Sequence, residues 1–168
     1  ILQDARANLF VTAFYGILDI ENGTFNYSNA GHNPPFLFRN TDGGTINALM
    51  STGMPLGIDE DASWTQASVD IEAGDTLILY TDGVPDAQDP QGKFFKEKQV
   101  IEVAQGALGS GAQAVQSAIL NAVQDFVSGA AQFDDITLLV LQRDPNSEDE
   151  LRDENLEEDL ETRPVPQE

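Results

Sequence analysis

LILYTDGV at residues 77–84 is the most informative segment of this chain, and FDDITLLV at residues 133–140 is its counterpart near the end of the folded part. Each places an aspartate at the end of an apolar run of strand-forming residues. In the first stretch Asp82 leaves the strand into a glycine turn, and in the second Asp134 enters the strand. Neighbouring strands would hold both carboxylates at one rim of a sheet, which is how proteins build sites for hard cations.

The net charge and the length of the chain limit the classes of function that it can have. The 168 residues suit one domain with a hydrophobic core of its own. The chain has 8 Lys and Arg residues against 29 Asp and Glu residues, a net charge of -21. This balance argues against direct binding of nucleic acid or an anionic membrane and favours cations or basic partners. No apolar run is long enough to span a bilayer and no basic-then-apolar leader precedes the first strand, so we expect a cytoplasmic protein.

The two ends of the chain differ from its middle. From Asp144 onward the sequence is acidic and has no aromatic residue, so it buries too little apolar surface to offset its ordering entropy. We therefore predict a folded part over residues 1–143 and a disordered acidic tail over residues 144–168. The chain begins with Ile1 rather than methionine, which leads us to expect further sequence upstream.

Strand patterns dominate the first half of the folded part. Residues 10–20 are rich in strand formers, and residues 24–29 alternate polar and apolar side chains. Asn22 and Gly23 lie between them, a pair whose positive φ angles suit a tight hairpin. Further strands are predicted at residues 36–39, 67–71, 77–80 and 136–141. The last two are apolar on both faces and must be covered on both sides.

Helical spacing follows the first aspartate motif. Residues 97–104 carry one apolar stripe, and a second stripe runs from Val115 to Phe126. Ser110 is placed to cap the second helix and Gly129 to end it. Strand meanders, a helix pair and a final strand predict a layered α/β (α+β) domain in which helices shield a largely antiparallel sheet.

The acidic side chains predict a metal site. Asp82, Asp134 and Asp135 would repel one another if they were crowded together without compensation, and a divalent cation relieves that repulsion. Oxygen ligands suit Mg²⁺ or Mn²⁺, whereas the absence of cysteine and the single histidine, His32, argue against structural zinc. A bound metal lowers the pKa of its water and neutralises charge on a phosphoryl group. Metal-assisted phosphate hydrolysis follows as a hypothesis.

Each of these signals also has a simpler interpretation. Asp-Gly is a common turn dipeptide, so Asp82 alone would be a turn former. Asp134 and Asp135 would equally serve as a cap at the start of a strand. His32 alone suits a hydrogen-bonded loop. Only the motifs taken together, in their order, carry more weight than these alternatives.

Five motifs in sequence order resemble the bacterial branch of the metal-dependent serine/threonine protein phosphatases (type 2C-like), which includes the stage II sporulation protein E type and the sigma-factor regulators. The motifs are FVTAFYG at 10–16, NAGHNPP at 29–35, GMPLG at 53–57, YTDGV at 80–84 and DDIT at 134–137. The resemblance covers about residue 8 to residue 142. An ordered set of five is specific where a single Asp-Gly is not.

The resemblance implies a fold and an activity. The family fold is an α-β-β-α sandwich of two antiparallel sheets flanked by helices, and the complete domain holds two Mn²⁺ or Mg²⁺ ions. A metal-activated water hydrolyses phosphoserine or phosphothreonine on a regulatory protein, and in bacterial relatives the usual partner is a phosphorylated anti-sigma-factor antagonist. By position in the motifs, Asp82 and Asp134 match metal ligands and Asp135 has a supporting role. No catalytic residue beyond the metal ligands is implied, and the 29–35 motif is interpreted as a structural loop.

The sequence also departs from the family pattern. The Gly-Asp and Asp-Gly-His-Gly segments that bridge the metals in relatives do not occur here. We therefore interpret residues 1–143 as the C-terminal portion of a phosphatase domain, and we expect the chain alone to bind metal poorly and to be inactive. Two other classes stay open: a non-catalytic module with a degenerate phosphatase fold that binds a phosphoprotein or partner, and a structural acidic domain.

Overall fold

Two antiparallel sheets and a helix pair make up the part of the chain that the computed structural model describes, residues 10–41, 44–132 and 134–145. In chain order the elements are β1 (Ala13–Leu18), β2 (Thr24–Ala30), β3 (Phe36–Phe38), β4 (Ile46–Ala48), β5 (Ala67–Asp70), β6 (Thr76–Tyr80), α1 (Glu97–Ala107), α2 (Ala112–Val127) and β7 (Leu138–Gln142). One sheet has the order β1-β2-β5 and the other β4-β3-β6-β7. The predicted α+β class, with mainly antiparallel sheets flanked by helices, is confirmed.

Strand β6 lies between two hydrophobic cores, as its continuous apolar run predicts. Leu77 packs into the core between the two sheets, and Ile78 packs into the core beneath the helices. Both side chains are essentially inaccessible to solvent. β6 pairs with β3 on one side and with β7 on the other, so the strand is also enclosed laterally. Because every neighbour of β6 is fixed, the point at which its chain leaves the sheet is fixed as well.

The remaining core residues follow the predicted periodicities. Phe25, Tyr27 and Asn29 of β2 are buried while the residues between them are partly exposed, which confirms the period of two. The core between the sheets consists of Phe25, Tyr27, Leu37, Leu49, Ile71 and Leu77. The core beneath the helices is larger and includes Phe36, Phe38, Ile78, Tyr80, Phe95, Val100, Val115, Ile119 and Val123.

The hairpin between β1 and β2 differs from its prediction. Gly23 has a positive φ of 76°, but Asn22 does not share it, so the turn is not the two-residue type that an Asn-Gly pair favours. The carboxylate of Asp19 instead accepts hydrogen bonds from the backbone N–H groups of Glu21 and Asn22 at 3.0 and 3.2 Å. The Asn22 side chain also donates to Asp19, and this bond is the main reason that the pKa of Asp19 is lowered. The Asp19 side chain therefore shapes a longer connection.

The helices confirm the predicted stripes but not the predicted N-cap. Val115, Ile119 and Val123 form the buried face of α2. Ser110 does not cap this helix, because Gly111 occupies the N-cap position with a φ of 94° that a serine would not readily adopt. At the other end, Ser128 adopts the left-handed conformation, just before the predicted terminator Gly129.

A buried ion pair joins the ends of β3 and β6. The guanidinium of Arg39 lies 2.7 Å from the carboxylate of Asp75, whose side chain is 1% exposed. The same carboxylate accepts hydrogen bonds from the backbone N–H groups of Asn40 at 2.8 Å and Glu72 at 3.0 Å. The sequence indicates only a turn at Asp75. The structure shows a buried charge with three donors directed at it.

Some sequence predictions fall outside the described residues. These are residues 1–9 of the predicted folded part, Asp42 and Gly43, where the sequence also indicates a turn, Phe133 of the second aspartate motif, and the acidic tail from residue 146 onward. Strand β4 was not predicted, and it is only three residues long. In the part of the chain that the structure describes, no helix combines the length and the apolar character needed to cross a membrane.

Candidate metal centre

The two aspartate motifs meet at one rim of the four-stranded sheet. β6 and β7 are antiparallel neighbours, and Tyr80, the last residue of β6, pairs with Leu138, the first residue of β7. Asp82 therefore follows the end of β6 at the same edge where Asp134 and Asp135 precede β7. The predicted common rim is confirmed.

Thr81 links the two motifs by hydrogen bonds. Its backbone N–H donates to the carbonyl oxygen of Thr137 at 3.1 Å. Its hydroxyl donates to the carbonyl oxygen of Asp135 at 2.8 Å and accepts from the backbone N–H of Thr137 at 2.9 Å. The sequence alone predicts no role for Thr81. Its position directly before the aspartate was the only available signal, and the function of the hydroxyl depends on a partner more than 50 residues away.

Gly83 brings the backbones of the two motifs into direct contact. A Cβ atom added at Gly83 would collide with the carbonyl oxygen of Asp135. It would also lie 2.9 Å from the carbonyl carbon of Asp135 and 3.2 Å from the carbonyl oxygen of Asp134. These neighbours are backbone atoms, which cannot rotate away as a flexible side chain could. Glycine at this position therefore sets the spacing between the two aspartate segments.

Replacing Gly83 by alanine should force these segments apart. We expect Gly83→Ala to lower the free energy of unfolding by about 1–3 kcal/mol, the usual cost of overpacking a closed contact. Urea denaturation followed by circular dichroism measures this change. The matched control is Gly106→Ala in α1, where an added Cβ meets no atom within 4 Å. Alanine in a helix is favoured over glycine by up to about 1 kcal/mol, so the control should be neutral or stabilising. Equal free energies of unfolding for Gly83→Ala and Gly106→Ala would contradict a close backbone contact at Gly83.

The three candidate ligands are exposed carboxylates. One oxygen of Asp134 accepts a hydrogen bond from the backbone N–H of Asp135 at 2.7 Å, which orients that carboxylate. Among residues 10–41, 44–132 and 134–145, neither Asp82 nor Asp135 has a side-chain hydrogen bond or ion pair. Their oxygens are therefore available to a cation, and an oxygen-only set fits Mg²⁺ or Mn²⁺.

The described residues do not complete a metal site by themselves. They contain no group of three or more acidic, histidine or cysteine side chains placed to hold an ion. The structure therefore brings the backbones of the two motifs together without gathering three carboxylates into one cage. Such a rim can contribute ligands to a metal site, and it needs further donors to close around an ion.

Asp82 also lines an open cleft of about 500 Å³. The other lining residues are Asn33, Pro85, Asp86, Lys96, Glu97 and Lys98. Neither Asp134 nor Asp135 lies among them, so the cleft extends away from Asp82 on the side of α1. Its lining carries both signs of charge, which suits a ligand that has polar or ionic groups.

Lys96 is the unexpected member of this lining. Its φ of 72° and ψ of 151° lie in a region that essentially only glycine adopts without strain. The backbone is held there because the Lys96 N–H donates to the carbonyl oxygen of Pro85 at 2.7 Å and its carbonyl accepts from Gln99 at 3.0 Å. Apart from Ser128, the other described residues with positive φ are nine glycines. No sequence pattern marks Lys96 as special.

Tyr80 and Glu97 connect the rim to α1. The Tyr80 side chain is buried, and its hydroxyl donates to the Glu97 carboxylate at 3.2 Å. Burial is the main cause that raises the pKa of Tyr80, and the negative charge of Glu97 adds to it. The phenol therefore stays protonated and holds the start of α1 against the end of β6.

The 29–35 motif begins in the last two residues of β2 and continues as a loop to the start of β3. Asn29 is fully buried, and its side chain donates to the carbonyl oxygen of Leu49 and accepts from the N–H of His32. The His32 ring lies 3.2 Å from the Thr12 hydroxyl. These bonds support the interpretation of the motif as a structural loop, from which Asn33 reaches the cleft.

Comparison with known proteins places this architecture in a family. The family model of stage II sporulation protein E (SpoIIE) matches residues 1–144. The fold, in which one rim of the four-stranded sheet carries both the Asp82 and the Asp134 motif, matches that of solved PP2C phosphatase domains. The chain belongs to the SpoIIE family.

Three relatives illustrate the extent of the similarity. Protein IcfG of Synechocystis sp. (strain ATCC 27184 / PCC 6803 / Kazusa) is 35% identical over 135 residues, which are 80% of this chain and 21% of IcfG. Phosphoserine phosphatase RsbU of Bacillus subtilis (strain 168) is 31% identical over 144 residues, 84% of this chain and 41% of RsbU. The phosphatase domain of SpoIIE from Bacillus subtilis, presoaked with Mn, has the same fold at 18% identity, with a TM-score of 0.60 over 79% of this chain and 56% of that domain. The chain thus spans about a fifth to two fifths of the length of the two curated relatives.

Proposed function

We propose that this chain supplies part of the active site of a metal-dependent protein phosphatase that hydrolyses phosphoserine or phosphothreonine on a regulatory protein. In this proposal Asp82 and Asp134 are metal ligands, and Asp135 has a supporting role. The observation that carries the proposal is the direct backbone contact between the Asp82 turn and the Asp134–Asp135 segment, which Gly83 permits. Two motifs more than 50 residues apart are held together at a rim that presents exposed carboxylates.

The names of two relatives support the proposed substrate class and metal. RsbU is named a phosphoserine phosphatase, and the SpoIIE phosphatase domain was soaked with Mn. We therefore propose Mn²⁺ or Mg²⁺ as the cofactor, with two ions in the complete domain. When bound, such ions lower the pKa of a coordinated water and neutralise charge on a phosphoryl group.

The residues of this chain have defined tasks in that reaction. The carboxylates of Asp82 and Asp134 provide hard oxygen donors at the rim. Thr81 holds the turn to Asp135 and Thr137 through its hydroxyl, so the two donors keep a fixed separation. Holding the metal ligands at a fixed separation before the substrate binds is one way in which a rigid site speeds a reaction.

The proposal also says which part of the protein each segment of this chain forms. We propose that residues 1–143 are the C-terminal portion of a phosphatase domain and that residues 144–168 form an acidic tail. The remaining metal ligands would come from outside the described residues, which themselves hold no group of three ligands. The partner we propose is a phosphorylated regulatory protein of the anti-sigma-factor antagonist type, on the strength of the resemblance to sigma-factor regulators.

Titration with Mn²⁺ tests this proposal. The longer protein that the proposal requires should bind Mn²⁺ saturably by isothermal titration calorimetry and release phosphate from a phosphoserine peptide. The 168-residue chain alone should do neither at the same Mn²⁺ concentrations, because its site is incomplete. Mn²⁺-dependent hydrolysis by this chain alone, lost in Asp82→Asn, would show that the site is complete without other residues.

A non-catalytic module is the second candidate function. The lack of a three-ligand group among the described residues favours it, because a degenerate phosphatase fold would keep its architecture and lose its metal. Such a module would bind a phosphoserine peptide and release no phosphate even as the longer protein. Phosphate release and peptide binding, measured on the same preparation, separate the two candidates.

A further inference from the structure

The cleft beside Asp82 contains a cation without a partner. Within the described ranges, the Lys96 ammonium has neither a hydrogen bond nor an ion pair. Three other basic side chains have partners: Arg39 with Asp75, Arg143 with the carbonyl oxygen of Ile71, and the cleft residue Lys98 with Glu102. Of the two lysines that line the cleft, Lys96 is the one without an ion pair in the described residues, so its charge is available to a ligand.

An anionic substrate needs such a charge in this protein. The chain carries a net charge of -21, and Asp82, Asp86 and Glu97 line the cleft. A phosphoryl dianion that approaches the rim is repelled by these carboxylates until a cation compensates them. The ammonium of a lysine is a compact point charge with three donors, and it is a common ligand for phosphate oxygens.

The backbone at this position gives no structural reason for a lysine. The hydrogen bonds that fix the Lys96 main chain involve only its N–H and C=O groups, which any residue except proline provides. A glycine would satisfy both bonds and relieve the strained φ and ψ angles. Lysine at this position therefore carries the cost of a strained backbone, while its side chain makes no hydrogen bond or ion pair within the described residues.

We propose that Lys96 is a substrate-binding residue that contacts the phosphoryl group of the phosphoserine or phosphothreonine substrate in the cleft beside Asp82. The proposal rests on the function proposed above, since it takes the substrate to be a phosphoprotein. It assigns to Lys96 the neutralisation of phosphate charge on the α1 side of the rim, in a cleft that Asp134 and Asp135 do not line.

The test measures binding of a peptide that cannot be hydrolysed. The probe is a serine-site peptide with a difluoromethylene phosphonate in place of the phosphate ester, titrated by calorimetry into the longer protein with Mn²⁺ present. Lys96→Gly should weaken binding by about tenfold, the effect of losing one hydrogen bond to a charged group. Lys96→Arg should stay within about threefold of the wild type, because it keeps the charge. Lys93→Gln, an exposed lysine outside the cleft lining, is the control for the loss of one positive charge.

Stability distinguishes a binding role from a structural one. Lys96→Gly should raise Tm by about 2–4 °C while it weakens binding, because it relieves the backbone strain. The proposal would be overturned if Lys96→Gly bound the peptide as tightly as the wild type does. It would also be overturned if Lys93→Gln lost as much affinity as Lys96→Gly, or if the wild type did not bind the phosphonate peptide. Failure of the proposed phosphatase function has a separate signature: phosphonate binding that depends on Lys96, with no Mn²⁺-dependent phosphate release from the phosphoserine peptide.

Discussion

Asp82→Asn should lower Mn²⁺-dependent phosphate release by about a thousandfold in the longer protein that carries this chain. The substitution keeps the shape of the side chain and removes its negative charge, so a hard cation loses a strong oxygen donor. Stabilisation by the metal of charge that develops on the phosphoryl group is worth several kcal/mol, and about 4 kcal/mol corresponds to this factor. Steady-state kinetics with a phosphoserine peptide, over a range of Mn²⁺ concentrations, measures the loss.

Control variants distinguish the loss of a metal ligand from the loss of any one negative charge in this acidic chain. Asp134→Asn should have an effect of similar size, and Asp135→Asn a smaller one, because Asp135 is assigned a supporting role. Asp61→Asn removes the same charge from an exposed loop between β4 and β5 and should change the rate less than about twofold. Retention of more than a tenth of the wild-type rate in Asp82→Asn would remove this residue from the metal site.

Asp75→Ala should lower the free energy of unfolding by about 3–5 kcal/mol. The Asp75 carboxylate is buried, and its removal leaves the Arg39 guanidinium without its counter-ion at a site that is 18% exposed. It also leaves the N–H groups of Asn40 and Glu72 without their acceptor. Urea denaturation of the 168-residue chain, followed by circular dichroism, measures the change.

A matched exposed aspartate provides the control for this loss. Asp70 ends β5, is exposed, and accepts a hydrogen bond from the Thr24 hydroxyl at 3.0 Å. Asp70→Ala should cost about 1 kcal/mol or less, because water replaces the lost bond. The double variant Arg39→Met with Asp75→Ala should be less destabilised than the sum of the two single variants. Similar decreases in the free energy of unfolding for Asp70→Ala and Asp75→Ala would show that the buried ion pair stabilises the fold no more than an exposed hydrogen bond does.

The buried ion pair and the candidate metal ligand lie at opposite ends of one strand. Asp75 precedes β6 and Asp82 follows it, so the strand that separates the two cores has a structural charge at one end and the candidate ligand at the other. The Arg39–Asp75 pair fixes where β6 enters the sheet, and the hydrogen bonds of Thr81 fix where its chain leaves. The strand therefore holds the rim at a defined distance from a buried anchor.

Local sequence patterns predicted most of the secondary structure correctly. The alternation in residues 24–29, the helical stripes of α1 and α2, and the apolar run of β6 each report how often a side chain faces the core. Such a signal is weak where an element is short or lies at an edge. Strand β4 has three residues and was missed, and β1 begins at Ala13, later than the predicted Phe10, since the strand-forming composition extends beyond the paired residues.

Turns and caps were predicted less well, because neighbouring groups compete for the same positions. Asn22 and Gly23 indicate a two-residue turn, but the Asp19 carboxylate captures two backbone N–H groups and lengthens the connection. Ser110 suits an N-cap, but Gly111 takes that position with a positive φ. In both cases the residue that decides the geometry lies a few positions away from the predicted one.

Local sequence patterns were enough for most of the elements, the α+β class and the common rim of Asp82 and Asp134, because two apolar strands with aspartates at facing ends give that placement as soon as they pair. The partner of Asp75, the links made by Thr81 and the strained position of Lys96 beside the cleft became known from the three-dimensional structure alone. Each of these depends on atoms of residues distant in the chain or on backbone angles imposed by such contacts. Strand order and register set those distances, and local periodicity carries no information about them.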